Sequence, residues 1–243
     1  MSKTRLDALV HLFYPQYSRA QIQSWIMQRK VTVNGKIIDK SGAQVDPESM
    51  IVLAVEEPKY VSRAGFKMEK ALDFFNLSVQ DYVIMDAGLS TGGFTDCLLQ
   101  RGAQKIYGID VGHGQVHEKI RTDSRVVVIE RTNLREVRDL GEKVDLITLD
   151  LSFISVLKVM DAVCSLLKDN GKLITLIKPQ FEARKEDVGR GGIIKDPRVH
   201  QEVIDRVTSG IIQRGFTLIG ITESPIQGTM GNTEFLAYFN KSS

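Results

Sequence analysis

Apolar positions fall at helical spacing twice near the start of the chain and then begin to alternate. Leu6, Leu9, Val10 and Phe13 predict a helix over 5–13. Ala20, Ile22, Trp25 and Ile26 predict a second over 18–29. Ser18 and Gln21 stand three apart at its start, the spacing of a capping box. Val31, Val33, Ile37 and Ile38 flank Asn34-Gly35, a hairpin signal, because both central residues of a type I′ turn need positive φ. A further strand is expected over 50–55. Glu56 to Lys59 reads as a connection, and Ala64, Met68, Ala71, Leu72 and Phe75 predict a helix over 62–75.

The pattern then changes. Nearly continuous apolar runs at 82–85, 106–109, 126–129, 144–149 and 172–177 alternate with helical stretches near 92–101, 115–123, 154–168 and 196–214. Such runs are strands of a parallel sheet covered on both faces. Two last strands, 216–223 and 234–240, have no helix between them. They are expected to pair as a hairpin and place one antiparallel strand in a seven-stranded, Rossmann-like α/β sheet. The domains expected are 1–57, a linker over 58–62, and 63–243.

Candidate chemistry concentrates after the first of these strands, in Asp86-Ala87-Gly88-Leu89-Ser90-Thr91-Gly92-Gly93-Phe94-Thr95-Asp96. The segment sits between strand and helix, where open α/β sheets bind ligands. It lacks the G-x-G-x-x-G spacing of dinucleotide sites. An acid at the strand end would repel a pyrophosphate but can hold an ammonium, which points to S-adenosylmethionine rather than NAD. Asp86 is the expected partner of that ammonium. Ala87, Gly88, Ser90, Thr91, Gly92 and Gly93 are the expected cradle. Asp110 ends the next strand, 24 residues on, where an acid would bond ribose hydroxyls. Val111 and Asn133 are expected beside the adenosine, and Asp150 ends the fourth strand on the same edge. Any one aspartate could equally be a turn residue; three at successive strand ends favour function.

Lys178 follows the fifth strand, Glu234 lies in Gly231-Asn232-Thr233-Glu234-Phe235, and Lys67 lies in Ser62-Arg63-Ala64-Gly65-Phe66-Lys67. Taken singly, they read equally as a strand-end charge, an edge-strand gatekeeper and a solvated helix lysine.

Taken together, the ordered stretches SRAGFK (62–67), DAGLSTGGFTD (86–96), ERTN (130–133), TLDLSFIS (148–155), IKPQFE (177–182), VGRGGIIKDP (188–197) and GNTEF (231–235) resemble the TlyA, or hemolysin A, family of RNA 2′-O-methyltransferases with an FtsJ-like catalytic domain. The resemblance implies a Lys-Asp-Lys-Glu tetrad at Lys67, Asp150, Lys178 and Glu234. It implies methyl transfer from S-adenosylmethionine to a ribose 2′-hydroxyl, of cytidine in ribosomal RNA. In that reading Lys178 is the candidate base, with Lys67 a like charge that lowers its pKa. Asp150 and Glu234 orient the ammonium groups and oppose that drop, so positioning of the hydroxyl carries weight.

The first 57 residues resemble the S4 RNA-binding module, on RLD (5–7), SRAQIQSWI (18–26) and KVTVNGK (30–36). The RNA contacts so implied are Arg5, Ser18, Arg19, Gln21, Lys30, Asn34 and Lys36, with Arg63 beyond the module. Each could equally belong to a solvated polar face. Residues 182–196 carry four basic and four acidic side chains and three glycines, the make-up of a mobile loop; the resemblance implies that it lies near the active site and closes over target RNA.

Composition alters this picture only in part. The 243 residues are 42% hydrophobic and 26% charged, which excludes wholesale disorder. Two cysteines, Cys97 and Cys164, cannot build a disulfide framework, and the four histidines have no metal-ligand spacing, so no metal is expected. No apolar run reaches the length of a membrane helix, and the first residues lack a signal-peptide core. These features lead to the expectation of a cytoplasmic monomer, and the resemblance implies that it acts on ribosomal RNA or ribosomal subunits, over a membrane-active haemolysin or a non-catalytic assembly factor. The net charge of +2 hides a basic start: 11 Lys+Arg against 7 Asp+Glu through residue 72. RNA selection by shape and specific contacts follows from so small an excess.

Overall fold

The Asn34-Gly35 turn forms as its residues dictate, with φ of 50° and 78°. It joins β2 (Val31–Val33) to β3 (Lys36–Ile37). In this computed structural model residues 3–55, 58–189 and 191–242 are described. Glu56 and Glu57 of the expected connection and Arg190 of the charged loop lie outside them. The chain divides between Pro58 and Lys59 into two units.

The first unit also holds β1 (Thr4–Arg5), α1 (Leu6–Phe13), α2 (Arg19–Met27), β4 (Gln44–Val45) and β5 (Ile51–Leu53). β2 is the centre of a three-stranded antiparallel sheet, and β1 pairs with β4. Two-residue strands leave no periodicity, so β1 and β4 were not foreseen. Ser18 caps α2 in a full capping box: Gln21 N–H donates to Ser18 Oγ, and Ser18 N–H donates to Gln21 Oε1. The core is Leu6, Leu9, Val10, Ile22, Ile26, Val31, Val33 and Val45. Phe13 and Ala20, expected inside, are exposed in terminal turns of their helices.

The second unit contains α3 (Ala64–Phe74), β6 (Val83–Ala87), α4 (Gly93–Gln100), β7 (Lys105–Ile109), α5 (Glu118–Arg121), β8 (Val126–Ile129) and β9 (Val144–Leu149). It continues with α6 (Met160–Leu166), β10 (Leu167–Ile177), α7 (Pro179–Glu182), α8 (Pro197–Ile212), β11 (Phe216–Glu223) and β12 (Phe235–Lys241). The seven-stranded sheet has the order β11-β12-β10-β9-β6-β7-β8. Only β12 runs antiparallel to its neighbours β10 and β11. The chain steps outward from β6 to β7 and β8, then returns to β9 on the other side of β6. Ligands bind at such a reversal, beyond the carboxyl ends of the strands.

Alternate strand residues feed two cores. Ile84, Ile106, Leu146 and Ile174 pack with α3 and α4 residues such as Met68 and Leu98. Met85, Tyr107, Ile147 and Leu173 pack with α6 and α8 residues such as Val163 and Val207.

Several expected bounds shift. The helix foreseen over 154–168 is a 3₁₀ turn, Val156–Val159, running into α6. β10 starts at Leu167, with a register shift before Lys172. The helix foreseen over 115–123 is only α5. The expected linker over 58–62 is partly folded onto the second unit. Tyr60 is buried against Phe66 with ring centroids 5.2 Å apart, and Val61 N–H donates to Asp96 Oδ2. The structural division also leaves residues 1–58 with seven basic and six acidic side chains. Most of the basic excess counted through residue 72 therefore belongs to the start of the second unit.

Candidate active site

Ala87 and Leu149 are paired neighbours on β6 and β9, and Asp150 N–H donates to the Ala87 carbonyl. Gly88 therefore emerges directly against Asp150. It has φ +85°, and a Cβ on it would stand 2.4 Å from the Asp150 carbonyl oxygen. Only glycine allows both the backbone conformation and the approach. Beside it opens a cavity of about 410 Å³, lined by Ala87, Gly88, Ser90, Asp110, Asn133 and Asp150 among others. Asp110 is held by two backbone donors, Ser90 N–H to Oδ2 and Gly112 N–H to Oδ1, both at 2.7 Å. Its carboxylate still borders the cavity. Asn133 Oδ1 accepts from Arg135 N–H, and Val111 is 71% exposed at the rim.

Asp86 is placed differently from its expected role. It is 1% exposed, absent from the cavity wall, and accepts from Thr95 Oγ1 at 2.7 Å and Thr148 Oγ1 at 2.8 Å. It therefore ties α4 to β9 from a position behind the cavity wall. Burial raises its pKa to about 6, against the two hydroxyl donors, and the charge of Asp150 adds to the rise. Gly92, with φ +96°, packs on Ile120, where a Cβ would stand 2.8 Å from Cγ1. Thr91 and Gly93 line a second recess of about 310 Å³, with Ser62, Arg63, Gly88, Ser90, Asp150, Ser152 and Lys178 on its wall.

Asp150 and Lys178 border that recess as an ion pair. Lys178 Nζ stands 2.5 Å from Asp150 Oδ1, a charge contact without hydrogen-bond alignment. The same ammonium donates to Ser152 Oγ at 3.1 Å. On the next strand, Ile177 pairs with Phe235, which brings Glu234 to the same sheet edge. Glu234 precedes β12 and is 2% exposed. It accepts from Lys67 Nζ at 2.6 Å and from Gln180 Nε2 at 3.2 Å. The four expected residues thus assort as two opposite-charge pairs. Each pair matches an ammonium to a carboxylate. Lys178–Asp150 faces the recess, while Lys67–Glu234 is absent from the walls of both cavities.

Phe153 was not singled out by its sequence, although it follows the Asp150 strand end in a loop. It is 90% exposed, has φ +63°, and stacks at 4.9 Å on Phe181. It borders the larger cavity. Strain and exposure of this kind on one aromatic cluster at functional sites.

The charged loop is anchored. Ile194 is buried and its N–H donates to Asn232 Oδ1, while Asn232 Nδ2 donates to the Gly192 carbonyl.

In the first unit, Arg5 donates to Asp7 through Nε and Nη2, and Arg19 Nη2 lies 3.6 Å from Asp7 Oδ2. Asp7 is fully buried, and the Arg5 guanidinium holds its carboxyl well below the usual range. Ser18 and Gln21 are spent on the cap. Asn34 Oδ1 accepts from Met50 N–H, which ties the turn to the start of β5. Lys30 and Lys36 are exposed. Among the described residues no group of His, Cys, Asp and Glu is arranged to hold a metal, and no helix is long and apolar enough to cross a membrane.

Residues 60–241 match the FtsJ-like methyltransferase family, and residues 4–51 match the S4 domain. Hemolysin A of Brachyspira hyodysenteriae is 43% identical across 97% of this chain and 99% of its own length. The 16S/23S rRNA (cytidine-2′-O)-methyltransferase TlyA of Mycobacterium tuberculosis is 38% identical across 91% of this chain and 84% of its own. A solved Streptococcus thermophilus protein carrying a hemolysin name superposes with a TM-score of 0.75. It is 40% identical, with 100% of this chain and 90% of that one covered.

Proposed function

The chain belongs to the FtsJ-like methyltransferase family, and on that footing we propose that it methylates a ribose 2′-hydroxyl of cytidine in ribosomal RNA, using S-adenosylmethionine. The observation that carries this reading is the Lys178–Asp150 pair: Asp150 lines both the glycine-loop cavity and its neighbouring recess, and Lys178 lines the recess.

The larger cavity suits a nucleoside-sized cofactor in volume. Gly88 lets the loop pass close against the Asp150 backbone beside that cavity, and the fixed carboxylate of Asp110 supplies acceptors for a diol. When bound, S-adenosylmethionine supplies a methyl group on a sulfonium, a leaving group that needs no acid. The chain's own task is to place the hydroxyl and receive its proton. As the neutral amine, its own proton first released to solvent, Lys178 Nζ is held by Asp150 and Ser152 against the 2′-oxygen and takes the hydroxyl proton as the new bond forms, which regenerates the ammonium. Asp150 keeps the ammonium in place. Lys67–Glu234, with Gln180, supports the floor beneath. Phe153 offers an exposed ring on which a cytosine base stacks, the usual means of holding an unpaired nucleotide. The S4 unit docks the folded RNA through Arg5, Arg19, Lys30 and Lys36, and Arg63 contacts RNA at the recess. The substrate is ribosomal RNA or a ribosomal subunit, and the site of action is the cytoplasm.

Labelled S-adenosylmethionine and unmodified ribosomal subunits test the proposal, with ribose methylation mapped by nucleotide. Transfer to a cytidine 2′-oxygen is expected, and Lys178→Ala should abolish it while cofactor binding persists. RNA binding without transfer under every subunit condition would favour a non-catalytic assembly factor instead.

A further inference from the structure

Two segments carry the exposed face of the site. One is the loop from Asp150 to Ser155, with Ser152 and Phe153. The other runs from Lys178 through α7, with Phe181. They touch at the Lys178 contacts to Asp150 and Ser152 and at the Phe153–Phe181 rings. A third contact lies behind these and has no part in the chemistry above. Glu182, 7% exposed at the end of α7, accepts from Val156 N–H at 2.7 Å, and the neighbouring Ser155 hydroxyl favours its charged form. Ser155 Oγ also accepts from Leu157 N–H and so caps the 3₁₀ turn that Glu182 holds. From α8, Arg206 donates to the Glu182 carbonyl, which fixes the residue from the opposite side.

We propose that Glu182 is a positioning residue that clamps the Phe153 loop to α7 and so sets the ring that receives the target base. The proposal rests on the methyltransferase reading of the site. Three observations support it. Phe153 holds a left-handed backbone that a phenylalanine does not adopt unaided, so something must over-determine it. Glu182 holds Val156, three residues after that strained position. A buried carboxylate is a costly way to join two segments unless the geometry it imposes matters, and burial does push the Glu182 carboxyl up in pKa.

The role predicts an effect on RNA engagement and not on the cofactor. Glu182→Ala should raise KM for the RNA about tenfold, with affinity for S-adenosylmethionine changed less than about twofold. Glu182→Gln keeps an acceptor for Val156 N–H and should stay within about threefold of the parent. Ser155→Ala, which removes the cap from the 3₁₀ turn that Glu182 holds, should move KM in the same direction and serves if Glu182→Ala does not fold. In a Phe153→Ala background, adding Glu182→Ala should raise KM little further, because both changes remove one function.

Additive effects of the two substitutions, or an equal loss of cofactor affinity, would overturn the assignment. So would a Ser155→Ala variant with unchanged RNA kinetics. A parent enzyme that transfers no methyl group would instead sink the methyltransferase reading beneath it.

Discussion

The carbonyl oxygen of Asp150 lies 2.4 Å from the point a Cβ on Gly88 would occupy. Paired strands bring these residues together at the reversal of the sheet, so the glycine is a spacer between the glycine-rich loop and the end of β9. Gly88→Ala should add backbone strain of about 1 kcal/mol at φ +85° and push the two segments apart. The expected result is a protein that folds but loses the rise in Tm that S-adenosylmethionine gives the parent, with methyl transfer reduced at least about tenfold.

The two ion pairs should respond oppositely to loss of their lysine. Lys67→Met leaves Glu234, 2% exposed, without its cation. A stranded buried charge costs about 3–5 kcal/mol, a fall in Tm on the order of 10 °C. Lys178→Met leaves Asp150 at a cavity wall where water reaches it, so Tm should fall much less while transfer is lost. Thermal melts and single-turnover assays on both variants check the contrast.

Asp86 should make the protein less stable as pH rises. Its folded pKa of about 6 exceeds the unfolded value near 4, so the folded state binds more protons across that interval. Its contribution is full below pH ~4 and is lost as pH climbs through ~6. Asp86→Asn should remove this slope, read from urea midpoints between pH 4 and 7.

Asp7 works in the opposite sense. Its folded pKa lies below the unfolded one because of Arg5, so its stabilisation is present above pH ~4 and fades as pH falls below that. Asp7→Asn should lower the urea midpoint at pH 7, and the gap from the parent should narrow below pH ~4.

Local chemistry in the sequence was enough to determine much of this protein. Asn34-Gly35 can turn only one way, Ser18 and Gln21 cap the helix they precede, and apolar runs broken by helices make a parallel sheet. Acids and lysines at strand ends share one edge because parallel strands all end on the same side. Pairing is another matter, because it depends on packing between residues far apart in the chain. Nothing near Asp86 in the sequence reveals that Thr95 and Thr148 turn it inward. Lys67 and Glu234 stand 167 positions apart, and only the docking of α3 beside β12 makes them partners and leaves Lys178 to Asp150. Phe153 resembles any loop phenylalanine until the fold strains its backbone, stacks it on Phe181 and leaves it bare beside the site.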